Sequence, residues 1–163
     1  MNVILSDYHI NQQTVALLPA YTLEYDTIVL EQDQKIHVKK PALHLIKEAC
    51  LTYGSSYEGR RESVMHQTGV KRKVPIPISI YWNLYAFPTH SPTDYNCAWL
   101  FHRHIYSIHP SSDSKTTILF NNNECITVDV SPFTIQNQIK RTELCQLTFS
   151  NGETEIPSYN LTI

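Results

Sequence analysis

The amino-acid sequence predicts a single α+β domain in which an antiparallel β-sheet packs against two to three helices. Three observations support this fold class. The chain has 163 residues, the usual size of one domain. Short apolar runs of strand composition lie before residue 39 and after residue 75. Between them, apolar residues recur at helical spacing. We therefore expect residues 1–163 to form one domain.

The first predicted strands form a small antiparallel meander. The apolar and β-branched runs occupy residues 14–18, 23–30 and 35–38. Pro19 and the polar residues 32–34 separate them, as turns do in a meander. Later runs, separated by prolines and polar stretches, predict further antiparallel strands. The asparagines at 121–123 predict a hairpin between two of these runs, because asparagine tolerates a left-handed backbone.

Two helices are predicted after the meander. Apolar residues recur at helical spacing over 42–53, and Gly54 follows as a stop. Ser55 and Glu58 fit the S-x-x-E capping box, so a second helix should begin there and end at residues 68–69. Both predictions depend only on local sequence.

The C-terminal part of the sequence predicts a third helix and a second hairpin. Helical spacing of Ile135, Ile139 and Thr142 indicates a helix within residues 133–145. The stretch LTFSNGETEI then predicts a hairpin with its turn at residues 150–152.

The net charge of −2 conceals a strongly segregated distribution. Residues 39–73 contain eight Lys or Arg and three Glu, a net charge of +5, so the remaining 128 residues carry −7. Local potential rather than net charge attracts a polyanion, and such a segment is a candidate phosphate-binding surface. A solvated basic surface without a ligand is the alternative that charge alone leaves open.

Arg60 and Arg61 lie in the first turns of the second predicted helix. Free backbone N–H groups and the helix dipole favour an anion at that end of a helix. Ser55 and Tyr57 could add hydrogen-bond donors, although a helix cap and a core-edge residue explain them equally well.

The sequence contains no motif of an established enzyme class. The patterns GxGxxG, GxxxxGK[ST], HExxH and GxSxG are all absent. His102 and His104 would share one face of a strand and could bind a cation with Cys97 and His109, but this spacing matches no standard zinc module. We therefore expect a non-enzymatic protein without metal or cofactor.

Six aromatic residues at strand spacing could stack on nucleic-acid bases, although aromatic residues with this spacing more often form a core. They are Trp82, Tyr85, Phe87, Trp99, Phe101 and Tyr106.

The cysteines and the N-terminus predict a cytoplasmic protein. The four cysteines contain no CxxC pair, which favours free thiols in a reducing compartment. The sequence begins without a secretory signal and contains no apolar run of membrane-spanning length.

Four stretches of the sequence stand out as motifs. They are TYGSSYEGRRES, TGVKRKVPIPI, YAFPTHSPTDYNCAWLFHRHI and FNNNECITVDVSPFTIQNQIKRT. In this order and at this spacing, they resemble the competence transcription factor family (ComK) of low-GC Gram-positive bacteria. The resemblance is strongest over residues 10–142.

The resemblance implies a nucleoid-associated activator that binds AT-rich boxes mainly through the minor groove, as a dimer or dimer of dimers, to control competence and DNA-uptake genes. A narrow A-tract groove attracts Arg without requiring a wholly basic protein. We expect Arg60 and Arg61 to be groove or phosphate ligands. Further expected DNA ligands are Lys71, Arg72 and Lys73 as a second contact loop, with Ser55, Tyr57, Lys40 and Arg103 as additional candidates.

The family resemblance also implies RNA polymerase and an adaptor of a Clp-type protease as partners. Members usually continue beyond the counterpart of Thr142 through a charged C-terminal region. In this chain, residues 143–163 are expected to diverge and form the second hairpin. An alternative hypothesis follows, in which a shortened protein pairs with a full-length relative and modulates it without activating transcription.

Overall fold

The structure is a computed structural model that describes residues 3–150. These residues form an α+β domain, as the sequence predicts. The strands are β1 (Ile4–Leu5), β2 (Thr14–Pro19), β3 (Thr27–Glu31), β4 (Lys35–Val38), β5 (Ile76–Ser79), β6 (Leu84–Pro88), β7 (Trp99–Phe101), β8 (Ile105–Pro110), β9 (Thr116–Phe120) and β10 (Cys125–Val128). The helices are α1 (Ala42–Thr52), α2 (Tyr57–Thr68) and α3 (Pro132–Ser150).

Seven strands form one large sheet in the order β1-β4-β3-β2-β7-β6-β5. The predicted meander is confirmed, because β2, β3 and β4 pair antiparallel in succession. Strands β5 to β7 extend the same sheet through the pairing of β2 with β7. The short β1 pairs parallel with β4.

The remaining strands form a second sheet in the order β10-β9-β8. The predicted asparagine hairpin joins β9 to β10. Asn123 adopts a left-handed backbone with φ 69°, and its N–H donates to the Phe120 carbonyl over 3.1 Å. Asparagine is suited to this backbone because its short polar side chain lowers the strain.

Strand periodicity separates the two sides of the large sheet. Leu17 and Trp99 face a core shared with α1 and α2, whereas their neighbours Ala16 and Leu100 face a core shared with the small sheet. The domain therefore has three layers, with the large sheet between the helices and the small sheet.

Helix α2 begins one residue later than its predicted capping box. Ser56, not Ser55, is the N-cap, and its Oγ accepts the Gly59 N–H over 3.0 Å. Gly69, with φ 78°, ends the helix as predicted. The S-x-x-E pattern was misleading because two adjacent serines offer two registers for the same cap.

Helix α3 is longer than predicted and replaces the expected second hairpin in part. Residues 147–150 form its last turn, so the prediction of a strand there is wrong. Cys145 is fully buried and Phe149, one turn later, packs on the same core, which favours a continued helix. The turn and second strand of the expected hairpin lie outside the described residues.

Helix α3 passes from one core to the other. Ile135, near its start, is buried with the small sheet, whereas Cys145 is buried with α1 and α2. The helix therefore crosses beside β5, at the edge of the large sheet. None of the helices in residues 3–150 has both the length and the hydropathy to cross a membrane.

Candidate nucleic-acid interface

The most accessible cations of the basic segment lie on the loop that joins α2 to β5. We call Lys71, Arg72 and Lys73 the basic loop. Lys71 and Arg72 are exposed, whereas Lys73 is half-buried and has a left-handed backbone with φ 48°. Within residues 3–150, no carboxylate forms an ion pair with any of the three. Their charges are therefore available to an anion.

Helix α3 fixes the backbone of the basic loop. Gln138 is 1% exposed, and its Nε2 donates to the carbonyls of Lys73 over 2.9 Å and Pro88 over 2.8 Å. Arg141 Nη1 lies 3.5 Å from the Arg72 carbonyl and 3.3 Å from Gln138 Oε1. The loop is thus held through its carbonyls while the Lys71 and Arg72 side chains remain in solvent.

Arg141 joins this surface although the sequence analysis did not select it. It is exposed and forms no ion pair among the described residues. The adjacent pair Lys140 and Arg141 on a predicted helix was the sequence feature that could have indicated it. Its proximity to Arg72 depends on the packing of α3 and is not visible in the sequence.

Arg60 is committed to backbone hydrogen bonds. Its guanidinium donates to the carbonyls of Pro77 over 2.7 Å, Cys50 over 3.1 Å and Ser55 over 3.3 Å. These carbonyls belong to β5, α1 and the α1–α2 connection. The geometry favours a structural role for Arg60, because one side chain ties three segments together.

Tyr57 and Arg61 lie one turn apart on α2 and differ in burial. Tyr57 is 7% exposed, its ring meets Trp99 edge-to-face at 6.5 Å, and burial raises its pKa. Arg61 is half-buried and has no ion-pair partner in the part of the chain that the structure describes. Ser55 is exposed. Of these three residues, Arg61 retains a free charge at the surface.

The N-terminus of α2 already holds a carboxylate. The pKa of Glu58 is lowered, first by a hydrogen bond from its own backbone N–H and then by Lys47, whose Nζ lies 3.4 Å away. The Ser56 hydroxyl uses another donor of the first turn. Because Glu58 neutralises this end of the helix dipole, the geometry gives little support to the expected anion site there.

Lys40 and Arg103 are engaged within the fold. The Lys40 ammonium lies 2.8 Å from Glu48 Oε1 and 3.0 Å from Asp7 Oδ1, and so connects α1 to the N-terminal segment. Arg103 Nη1 donates to the Trp82 carbonyl over 3.0 Å. Their hydrogen bonds and ion pairs hold these two cations to other parts of the fold and not to the basic loop.

Two of the histidines considered for a metal, His102 and His104, lie on a turn and not on a strand, whereas His109 lies in β8. Residues His102–His104 form a short 3₁₀ turn between β7 and β8, so their side chains do not alternate. His102 lies 3.5 Å from Glu143, and the buried His104 donates its Nε2–H to the Gln12 carbonyl over 2.8 Å. Residues 3–150 contain no cluster of three His, Cys, Asp or Glu suited to a metal.

His104 makes the stability of the protein depend on pH. Burial lowers its pKa below the ordinary value of 6.5, so the unfolded chain binds the proton first as the pH falls. Its contribution to stability is present above about pH 6.5 and is lost as the pH falls through the lower folded-state pKa. We expect His104→Gln to lose less stability than the parent protein between neutral and mildly acidic pH. Urea unfolding of both proteins across this range checks the prediction, and parallel curves would contradict it.

The six candidate stacking residues divide into two groups. Tyr85, Phe87, Trp99 and Phe101 are buried in the core, whereas Trp82 and Tyr106 are 44% and 72% exposed. The core interpretation is therefore right for four of them.

Comparison with known proteins agrees with the motifs and places the basic loop inside the matched region. The sequence model of the family described as ComK protein matches residues 5–153. The chain is 28% identical over 151 residues to the competence transcription factor of Bacillus subtilis (strain 168), covering 90% of this chain and 77% of that protein. No solved structure gives a significant match. Because the family match includes all but the two ends of the sequence, the chain belongs to the ComK family.

Proposed function

We infer that this protein is a non-enzymatic transcription regulator of competence and DNA-uptake genes that binds AT-rich duplex DNA. The observation that carries the proposal is the basic loop, whose exposed Lys71 and Arg72 have no carboxylate partner among residues 3–150. Membership of the ComK family and similarity to a protein named competence transcription factor support the biological context. Such a regulator would act in the cytoplasm on nucleoid DNA.

The shape of the basic loop suits the minor groove. That groove is about 6 Å wide and does not admit a helix, but single extended side chains can enter it. In A-tracts the groove narrows further and its negative potential increases, which favours an inserted guanidinium. We assign Arg72 to the groove and Lys71 to a flanking phosphate, because both are exposed on a loop whose backbone is fixed.

Neighbouring cations would extend this contact along the DNA backbone. Arg141 lies beside Arg72 and is exposed, and Lys73 is half-buried in the basic loop with a free charge. Arg61, which is half-buried without an ion-pair partner among residues 3–150, could add a contact from the start of α2. Arg60, Tyr57, Lys40 and Arg103 contribute to the proposal by shaping the fold, since each is buried or bonded within it.

A homodimer or dimer of dimers would present two or more basic loops to paired AT-rich boxes. RNA polymerase and a Clp-protease adaptor are the protein partners that this function implies. The alternative, a shortened modulator that pairs with a full-length relative, follows from the altered C-terminus and stays a prediction. Of its expected second hairpin, residues 147–150 are helical and do not form a strand.

Lys71→Ala/Arg72→Ala is expected to weaken binding to AT-rich duplex and to reduce its salt dependence. Each Lys or Arg that neutralises a phosphate charge, whether it lies on the backbone or in the groove, contributes about 0.9 to the slope of log K against log salt, so loss of both reduces the slope by about 1.8. If the two proteins bind equally at about 1 M salt, this slope difference makes binding by the variant roughly 60-fold weaker at about 0.1 M salt. Fluorescence anisotropy of a labelled duplex over a salt series measures both quantities.

Lys35→Ala/Lys115→Ala is the matched control, because it removes one cation at the start of β4 and one just before β9, both outside the proposed interface. This control should leave the slope nearly unchanged. If the basic-loop variant retains the parent slope and affinity, the assigned interface is wrong. If the parent protein binds GC-rich and AT-rich duplexes equally at one salt concentration, the proposed AT preference is wrong.

A further inference from the structure

The turn between β5 and β6 presents two aromatic side chains to solvent. We call Ile80–Asn83 the hairpin tip. Tyr81 is 84% exposed and Trp82 is 44% exposed, and their rings meet edge-to-face at 4.7 Å. Ile80 beside them is 45% exposed. Exposed large apolar groups that adjoin each other commonly mark a contact with another molecule.

The fold holds the hairpin tip from several sides. The backbone N–H of Trp82 donates to Ser79 Oγ over 3.2 Å, and Arg103 Nη1 donates to the Trp82 carbonyl over 3.0 Å. Gln146 Nε2 donates to Asn83 Oδ1 over 3.3 Å. The first two bonds hold the Trp82 backbone beneath the exposed rings, and the third holds the Asn83 side chain. A pre-organised aromatic pair loses little conformational entropy when it enters a binding partner.

Helix α3 connects the hairpin tip to the basic loop. Gln138 contacts the loop and Gln146 contacts the tip, and eight helical residues at 1.5 Å each span about 12 Å. Successive base pairs of duplex DNA are about 3.4 Å apart, so this distance corresponds to about three to four base steps. One duplex bound at the basic loop could therefore also reach the tip.

The charges near the hairpin tip favour DNA as its partner. The Arg103 guanidinium bonds directly to the backbone of Trp82, and exposed Lys140 and Arg141 lie on the same helix as Gln146. The acidic residue on this stretch of the helix, Glu143, has its Oε1 3.5 Å from His102 Nε2. A cationic setting around exposed aromatic rings suits nucleic acid, because phosphates meet the cations while bases stack on the rings.

We propose that Tyr81 and Trp82 form a wedge that stacks against a base step of the AT-rich duplex, about three to four steps from the basic-loop contact. The proposal rests on the DNA-binding function inferred above. TA steps are the expected target, since they unstack more easily than other steps and occur in AT-rich DNA. Apolar wedges are a known means of binding at the minor groove.

The test compares Tyr81→Ala/Trp82→Ala with Tyr106→Ala, which removes a similarly exposed aromatic residue on β8. The probe is an AT-rich duplex with 2-aminopurine at a central TA step, whose emission rises when the base unstacks. Emission is read at saturating protein, so that differences in affinity do not affect it. We expect a rise with the parent protein and with Tyr106→Ala, and none with the tip variant.

A second variant and the salt dependence separate stacking from a folding defect. Trp82→Phe keeps an aromatic face and should retain most of the emission change. Stacking is worth about 1–3 kcal/mol per base, so the tip variant should bind about 5- to 150-fold more weakly, with the parent salt slope. Lys71→Ala/Arg72→Ala should instead reduce that slope.

Three outcomes would overturn the wedge. The tip variant could match the parent protein in emission and affinity while the basic-loop variant loses binding, in which case the DNA-binding function stands. The tip variant could have a different oligomeric state from the parent protein in the absence of DNA, measured as mass in solution, while the emission change persists. That result would assign the tip to a contact between protein molecules. Finally, a parent protein that binds no duplex would refute the proposed function and the wedge together.

Discussion

Arg60→Ala is expected to destabilise the protein by about 3 kcal/mol, because it removes a charged donor from three backbone carbonyls. Cys50 and Pro77, which supply two of these carbonyls, are buried. A buried acceptor that loses its donor carries a desolvation cost that water at the surface does not repay. The free energy of unfolding in urea measures this effect.

Arg61→Ala is the matched control for Arg60, since it removes the same side chain at the next position without those hydrogen bonds. We expect this variant to lose less than about 1 kcal/mol in the free energy of unfolding. It should also lose about one phosphate contact, which lowers the slope of log K against log salt by about 0.9. Arg60→Lys keeps the charge but cannot serve three carbonyls, so it should remain destabilised. If Arg60→Ala retains full stability and loses salt-dependent DNA affinity, Arg60 is a DNA ligand instead.

Gln138→Leu is expected to cost about 2–3 kcal/mol of stability and to loosen the basic loop. Leucine fills a similar volume but leaves the Lys73 and Pro88 carbonyls without the donor that both now share. Amide exchange of residues 70–74 should accelerate relative to the rest of the chain. Urea unfolding and amide exchange together check the prediction.

DNA binding by Gln138→Leu should weaken while the salt slope stays close to that of the parent protein. The phosphate-binding side chains remain present, but ordering the released loop now opposes binding. Gln136→Leu is the matched control, because Gln136 is exposed on the same helix. Equal stability of the two variants would contradict the positioning role of Gln138.

Local sequence was sufficient wherever neighbouring residues decide the structure. Helix α1 and its glycine stop, the meander and the asparagine hairpin all follow from periodicity and turn chemistry within a few residues. The cap of α2 shifted by one residue because Ser55 and Ser56 compete for one role. The end of α3 was wrong because Phe149 packs on a core formed by distant strands.

The sequence by itself determined the fold class, the family resemblance and the segregation of positive charge into residues 39–73. Only the tertiary structure decided which of those charges are free. Arg60 is bonded to the Pro77 carbonyl and Lys40 is paired with Asp7. Arg141, which is distant in sequence, lies beside Arg72 and adds a charge to the basic loop. The physical reason is that charge is a property of each residue, whereas its availability depends on hydrogen-bond partners that are distant in sequence and meet only when the sheet and helices pack.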